Sequence, residues 1–443
     1  MLSEKRLSIV NQWDISTAAK QGVYRFLNND SVSETDLISR LEPAYKGGLE
    51  AEGHVLVFQD TVELSYGQLS GKLRIQDQSI GVLSDNKTTG FLAHPGLALS
   101  AENNSVLGLS SLKLWSRPYG RQTKQERKYQ KQAYEEKESY VWLESLKQSQ
   151  ANLSSAERIT FISDRGSDIY ELFGRVSELE RKADLIIRSS HDRRLSTQQR
   201  LSEFLNTQQV GGYLTYSQKE RKHRSSRKTN LGVKWAKVKI KRPSSCLGAV
   251  AEELELTVVE LQEEAQHVPS GEKPICWRLW TTHEVTNLAE AKKIATWYAQ
   301  RWWIEDFFRL IKKQGFKIEA AQFGTGAALR KLTILTMEQA VKVLALRQGR
   351  ENIELSANKL FTEQEQVCLQ ALEVELAGKT KAQQNPYPQY TMAWAAWLIA
   401  RLGGWTAANM SKRPPGNIVL RRGLERFQLQ FKGWQLAQRK HKT

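Results

Sequence analysis

Three acidic residues, Asp60, Asp164 and Glu305, stand where their carboxylates could meet. Asp60 closes the short apolar, β-branched run HVLVFQD (54–60) and Asp164 closes RITFISD (158–164), so each is expected at the C-terminal end of a strand. In an open α/β sheet that end opens into a crevice. A lone strand-end Asp ordinarily caps a turn or a helix, and two of them need a third acid before they can hold a divalent ion.

Glu305 offers the third. The stretch from Asn287, a good N-cap, to Gly315 reads as one helix. Counted from Tyr298 at about 100° per residue, Arg301, Glu305 and Lys312 fall near ~300°, ~340° and ~320°, one polar stripe about 60° wide. Trp297, Ile304, Phe307, Phe308, Leu310 and Ile311 fall on the opposite, core-facing side. A polar stripe opposite a core face is ordinary, and a Glu305–Arg309 pair would explain part of it as surface chemistry. Tyr298, an aromatic residue kept within the charged stripe, speaks against that reading. Three such carboxylates suit two Mg²⁺ ions, with Mn²⁺ as a substitute, because hard cations favour oxygen ligands. Held about 4 Å apart, two such ions suit in-line phosphoryl displacement. Arg301 and Lys312 would grip phosphate oxygens, and Tyr298 could donate its hydroxyl.

The elements that must position these residues follow from patterning. HVLVFQD, GFLAHPGLALS (90–100) and SVLGLSSLKLW (105–115) read as three consecutive strands. A polar helical segment near 130–148 follows, then the strand RITFISD, a helix in GSDIYELFGRVSELER and the strand ADLIIRSS (183–190). The order βββαβαβ predicts an α/β fold with a mixed sheet and flanking helices. From 208 to 286 GGYLTYS, VKWAKVKIK and LELTVVEL alternate with period two, which predicts a β-rich insertion. Helices are expected again at 326–347, 363–377, up to Gly403–Gly404, and after the PPG turn at 414–416.

Composition narrows the partner. The 443 residues suit two or three domains, and 65 Lys plus Arg against 48 Asp plus Glu leave a formal charge of +17. So strong a basic excess points to a polyanion. Two basic runs, 117–131 and 217–228, the second carrying Lys219, Arg221, Lys222, Arg224, Arg227 and Lys228, read as arms near phosphates or equally as solvated surface. No apolar run is long enough to span a bilayer, and MLSEKRLSIVNQW is no signal peptide. Cys246, Cys276 and Cys368 are too scattered for a disulfide framework or a cysteine zinc site. A cytoplasmic, nucleoid-associated protein is expected.

Tyr298, Arg301, Glu305 and Lys312 together reproduce the Y-(2)-R-(3)-E-(6)-K signature, and the chain resembles the cut-and-paste DDE transposases of the insertion-sequence-four family. QDTVELSYG around Asp60, SDRGSDIY around Asp164, QGVYRFLNND (21–30) and IARLGGW (399–405) resemble that family's segments too. The resemblance implies a ribonuclease-H-like core interrupted by the β-rich insertion, with a helical C-terminal domain. It implies Asp60, Asp164 and Glu305 as the metal-binding triad. It implies nicking, hairpin formation and opening, and strand transfer on double-stranded DNA, with the transposon-end inverted repeats and target DNA as partners of a homodimeric synaptic complex. Trp277, in ICWRLW, matches the position whose indole stacks on a flipped base, and a strand-packing Trp is nearly as good a reading. Arg188, ending the LIIR run, matches a DNA-contacting position, with a salt-bridged strand-end Arg as the plain alternative. The helices around AWAAWLIARLGGW would supply dimer contacts, with core packing inside one subunit as the alternative.

On this resemblance the chain divides into a truncated N-terminal DNA-binding region (1–45), a first part of the catalytic core (46–207), the insertion (208–286), a second part with the signature helix (287–350) and a C-terminal dimerisation domain (351–443). Relatives carry a longer leading segment that reads end sequences. Two further readings therefore stand beside an active enzyme: a shortened inhibitor that dimerises with full-length transposase, and a structure-selective nuclease that cuts without joining.

Overall fold

A computed structural model describes residues 17–46, 53–71, 73, 77–122, 125–177, 179, 183–218, 220, 225–247, 250–406 and 414–440. Two helices, α1 (Thr17–Leu27) and α2 (Glu34–Lys46), lead into the sheet. Its strands are β1 (His54–Gln59), β2 (Val62–Ser65), β3 (Gly81–Val82), β4 (Thr89–Ser100), β5 (Val106–Trp115), β6 (Arg158–Ser163) and β7 (Asp184–Arg188), followed by β8 (Gly212–Gln218), β9 (Arg227–Lys241), β10 (Glu253–Glu263) and β11 (Cys276–Thr281). The later helices are α3 (Val141–Asn152), α4 (Tyr170–Ser177), α5 (Leu201–Thr207), α6 (Leu288–Ala299), α7 (Trp302–Lys312), α8 (Gly326–Gly349), α9 (Glu363–Leu376), α10 (Met392–Leu402) and α11 (Asn417–Lys440).

The sheet is mixed, as the strand order predicts. β1 runs antiparallel to β4 and parallel to β6, β6 runs parallel to β7, and β5 pairs with β4. β1 and β4 are buried along almost their whole length because helices cover both faces, which is why they read as continuous apolar runs. The four strands from 212 to 281 add to the same sheet: β11 pairs antiparallel with β7, and β10, β9 and β8 follow in turn. Two strands, β2 and β3, escape the sequence reading because four and two residues are too few to show a period. β2 continues the register of β1: Gln59 faces Gly96 and Val62 faces Ala93 on β4, which places Pro95 opposite Asp60 and His94 opposite Thr61. Pro95 brings no N–H to the ladder, so the strand breaks at Asp60.

The helix expected from Asn287 to Gly315 is two helices. Asn287 caps as expected, its side chain accepting from the Glu290 N–H at 3.0 Å. The chain then tightens: Arg301 N–H bonds Tyr298 O at 3.0 Å, Trp303 N–H bonds Gln300 O at 2.9 Å and Ile304 N–H bonds Arg301 O at 3.1 Å, all i to i−3. α6 packs against β6, β9 and β10, whereas α7 packs against β1 and α8. Two apolar faces with different partners require a change of direction between them. A 3₁₀-type junction turns ~120° per residue, so one helical wheel does not carry across it. Of the expected core side, Trp297, Ile304, Phe307, Leu310 and Ile311 are buried and Phe308 is half-buried.

α10 bears on a second expectation. Met392 to Ala400 and Leu402 are all buried, packed by α8, α9 and α11, so most of AWAAWLIARLGGW packs within one chain, the plainer of the two readings. Close crossing explains the glycines: a Cβ at Gly423 would stand 1.8 Å from Ile399 O. Among the described residues, no helix is long and apolar enough to cross a membrane.

At the N-terminal end of β1 and β6 lies a directional hydrogen-bond chain. Arg158 can only donate, so the Nδ1 of His283 accepts from it at 2.8 Å and its Nε2 carries the proton. That Nε2 donates to Thr160 Oγ1 at 2.9 Å, and the Thr160 hydroxyl donates to His54 Nε2 at 2.7 Å. Both rings lean on Trp297, at 4.8 Å for His54 and 5.4 Å for His283. Burial, followed by the Arg158 cation, depresses His54 to about 4 from 6.5, and burial also depresses His283 against the pull of Asp184. The folded state takes up these protons less readily than the unfolded chain. The contribution is therefore fully present above pH 6.5 and is lost as pH falls toward about 4. Unfolding monitored from pH 7 to pH 4 is expected to show falling stability, with a flatter profile for His283→Gln; equal slopes in the two proteins would remove the histidines from the account.

Candidate active site

The parallel register of β1 and β6, with Phe58 beside Ile162, brings the next two positions of each strand, ending at Asp60 and Asp164, side by side. Each Asp also serves its own turn, as the plainer sequence reading expects. Asp60 Oδ1 accepts from the Thr61 N–H at 2.8 Å, and Asp164 Oδ1 accepts from the Gly166 N–H at 2.8 Å, capping a single 3₁₀ turn. Glu305, one turn into α7, reaches the same place. The Arg301 guanidinium bridges Asp60 Oδ2 at 3.2 Å and Glu305 Oε1 at 2.5 Å.

Electrostatics follow from this crowding. Burial, then the Asp164 carboxylate, pushes the Asp60 carboxyl up to about 6; Glu305 adds to the rise, and Arg301 and the Thr61 N–H oppose it. Burial works against the Arg301 charge, but Tyr298, Glu305 and Asp60 outweigh it and hold the guanidinium above its ordinary range. Among the described residues, no three His, Cys, Asp or Glu side chains are gathered closely enough to hold a metal. The donor chemistry nevertheless fits a hard cation: carboxylates converge here, and a cationic guanidinium already neutralises two of them.

The remaining expected residues are placed differently from the single stripe. Tyr298 is buried at 5% exposure, and Trp277 on β11 stacks edge-on against it at 5.6 Å. Tyr216 on β8 also meets Trp277 edge-on, at 5.0 Å. Trp277 packs within an aromatic row and remains half-buried, so part of the side chain is accessible. Lys312 lies off the carboxylate cluster, donating to Glu63 O at 2.8 Å and pairing with Glu319 at 3.0 Å. Arg188 faces Leu279 across the β7–β11 junction and donates to Cys276 O at 3.2 Å, and its Nε is buried without a hydrogen-bond partner.

The basic runs are corrected in part. Arg117 pairs with Glu63 and Glu138, Arg121 with Glu138, and Arg227 forks onto Glu263 and Glu272 at 2.9 and 2.5 Å. These partly buried glutamates need counter-charges, so the three arginines are committed to them. Lys219, Arg221, Lys222 and Arg224 lie outside the described residues, and Lys228 is exposed on β9. Sequence reading missed Asp168, whose buried carboxylate takes Arg193 and the N–H groups of Ser190 and His191. It also missed Tyr216, whose only signal is its place in an alternating strand.

Residues 123–337 match the family model described as transposase DDE domain. The match includes Asp164, Arg188, Trp277, Tyr298, Arg301, Glu305 and Lys312, and Asp60 precedes it. A DDE domain of this kind supports a DNA transposase. Among solved structures, the chain is similar to a piggyBac transposase synaptic complex with hairpin DNA. Identity is 11% and the TM-score 0.28, a likeness too low to define the fold, and the match covers 70% of this chain and 58% of that chain. The chain thus spans less than two thirds of the piggyBac chain's length.

Proposed function

We propose that this chain is a cut-and-paste DNA transposase of the insertion-sequence-four type, resembling the transposase of transposon five, built on a ribonuclease-H-like core. The observation that carries the reading is the Arg301 guanidinium shared by Asp60 at the end of β1 and Glu305 on α7, with Asp164 at the end of the neighbouring parallel strand close enough to raise the Asp60 carboxyl. Asp60, Asp164 and Glu305 would hold Mg²⁺ or Mn²⁺, which supplies an activated oxygen nucleophile and a stabilised leaving oxygen. Arg301 is the residue that must yield: freed from Asp60 and Glu305, its planar fork suits a phosphate beside the scissile bond. Tyr298 accepts the Arg301 N–H through its carbonyl and supports the half-buried Trp277 ring, whose indole suits stacking on an unpaired base. Arg188 offers a phosphate donor at the β7–β11 junction once its guanidinium leaves Cys276 O and frees the buried Nε–H. Lys312 acts by anchoring α7 to the β2 segment until DNA competes for its ammonium.

The partners in this reading are double-stranded DNA, terminal repeats and target, in a homodimeric synaptic complex of a nucleoid-associated protein. Since α10 is consumed by the core, the dimer face falls to exposed apolar positions such as Val374 on α9 and Leu436 on α11. The deciding assay incubates the chain and Mg²⁺ with labelled DNA ends flanking its gene and resolves nicks, hairpins and joined products. Cleavage without any joined product would convert the reading to a nuclease. In the same assay Trp277→Ala is expected to slow hairpin formation about 10-fold or more, in line with a lost stacking contact of ~1–3 kcal/mol, while the first nick keeps its rate. Equal slowing of both steps would return Trp277 to packing alone.

A further inference from the structure

Behind Asp60 lies a fully buried imidazole. His94, at 0% exposure on β4, sits opposite Thr61 by register. Its Nε2 faces Gln59 Oε1 at 3.3 Å, an acceptor, so the Nε2 carries the proton and Nδ1 is left to accept. The Thr61 hydroxyl donates to that Nδ1 at 2.8 Å. Thr61 in turn donates its backbone N–H to Asp60 Oδ1 at 2.8 Å, which turns Oδ2 outward to Arg301. The ring is fixed by Trp142 of α3, edge-on at 4.6 Å. The same indole lies under the second acidic turn: a Cβ at Gly166 would stand 3.4 Å from Trp142 Cζ2 and 3.0 Å from Asp164 Oδ1.

We propose that His94 is a positioning residue for the carboxylate site: through the Thr61 hydroxyl it fixes the carboxylate orientation of Asp60, and with Trp142 it gives the Asp60 and Asp164 turns a common support. A strand broken opposite Pro95 has lost a ladder N–H just where a carboxylate must be aimed to within a fraction of an ångström. The His94–Thr61 bond replaces that missing constraint with a side-chain one. Outer hydrogen bonds of this kind typically govern metal affinity by about 10- to 100-fold.

The inference rests on the carboxylate-site reading above, so the test separates the two. Mn²⁺ binding to the full chain is measured by the loss of the free-ion spin-resonance signal, beside a thermal melt, for wild type, Asp60→Asn, Thr61→Val, Thr61→Ser and Thr61→Val/His94→Phe. Thr61→Val keeps shape and is expected to weaken Mn²⁺ binding about 10-fold, with a melt lowered only modestly by the unanswered His94 Nδ1 and the fold retained. Thr61→Ser restores the affinity, and adding His94→Phe to Thr61→Val weakens it no further, since both act through one bond. Asp60→Asn losing Mn²⁺ while Thr61→Val binds as wild type does would overturn the positioning role alone. Failure of Thr61→Ser to restore affinity would overturn it equally. Mn²⁺ binding that is absent, or indifferent to Asp60→Asn, would overturn the site reading and the inference together.

Discussion

Glu305→Ala is expected to yield a folded protein that retains DNA and no longer nicks or joins it, the rate falling on the order of 10³-fold. Its side chain is about one-third exposed (34%), and its hydrogen bond is to Arg301, which also pairs with Asp60 at 3.2 Å and so retains a carboxylate partner. Removing it leaves no buried charge stranded, so the melt should move little. The missing carboxylate would instead leave the cation site with Asp60 and Asp164 alone, too few oxygen ligands to fix two ions against a phosphate. Single-turnover nicking with Mg²⁺, gel retention of the same DNA and a melt together check the point. Wild-type cleavage by Glu305→Ala would remove it from the site, and lost cleavage with a collapsed melt would recast it as a structural residue.

The same side chain shows how far sequence reading reaches. Asp60 and Asp164 are legible because each ends a short β-branched run, and parallel pairing then has only one way to bring such ends together. Asn287 is legible as a cap because capping is local. Tyr298 is not, because the spacing from Tyr298 to Glu305 presumes one helix, and the 3₁₀ junction at Gln300–Arg301 arises from tertiary packing: α6 answers to β9 and β10, α7 to β1 and α8. Charge misleads for a related reason. Arg117, Arg121 and Arg227 read as free cations, yet their glutamate partners lie 17 to 54 residues away in sequence and meet them only after folding. AWAAWLIARLGGW is apolar apart from Arg401, the pattern of a helix enclosed by its own chain, and Met392 to Ala400 are buried accordingly.

Asp168→Ala is expected to show the converse of Glu305→Ala, a large loss of stability that takes cleavage with it. Its carboxylate is wholly buried, at 0% side-chain exposure, and accepts from Arg193 Nη2 at 2.5 Å and Nε at 3.0 Å, Ser190 N–H at 2.7 Å and His191 N–H at 3.1 Å. Truncation strands a guanidinium only 8% exposed and leaves two backbone N–H groups unanswered. Breaking a buried pair from one side costs about 3–5 kcal/mol, visible as a lower urea midpoint. The bond set also ties the loop after β7 to the turn that carries Asp164, so the C-terminal end of β6 loosens in step. Arg193→Ala should fall by a similar amount, because it strands the carboxylate instead, and the double variant should fall by less than the sum of the two. Additive losses would mean that the residues stabilise the chain separately and that the clamp between the β6 turn and the β7 loop does not act as a unit.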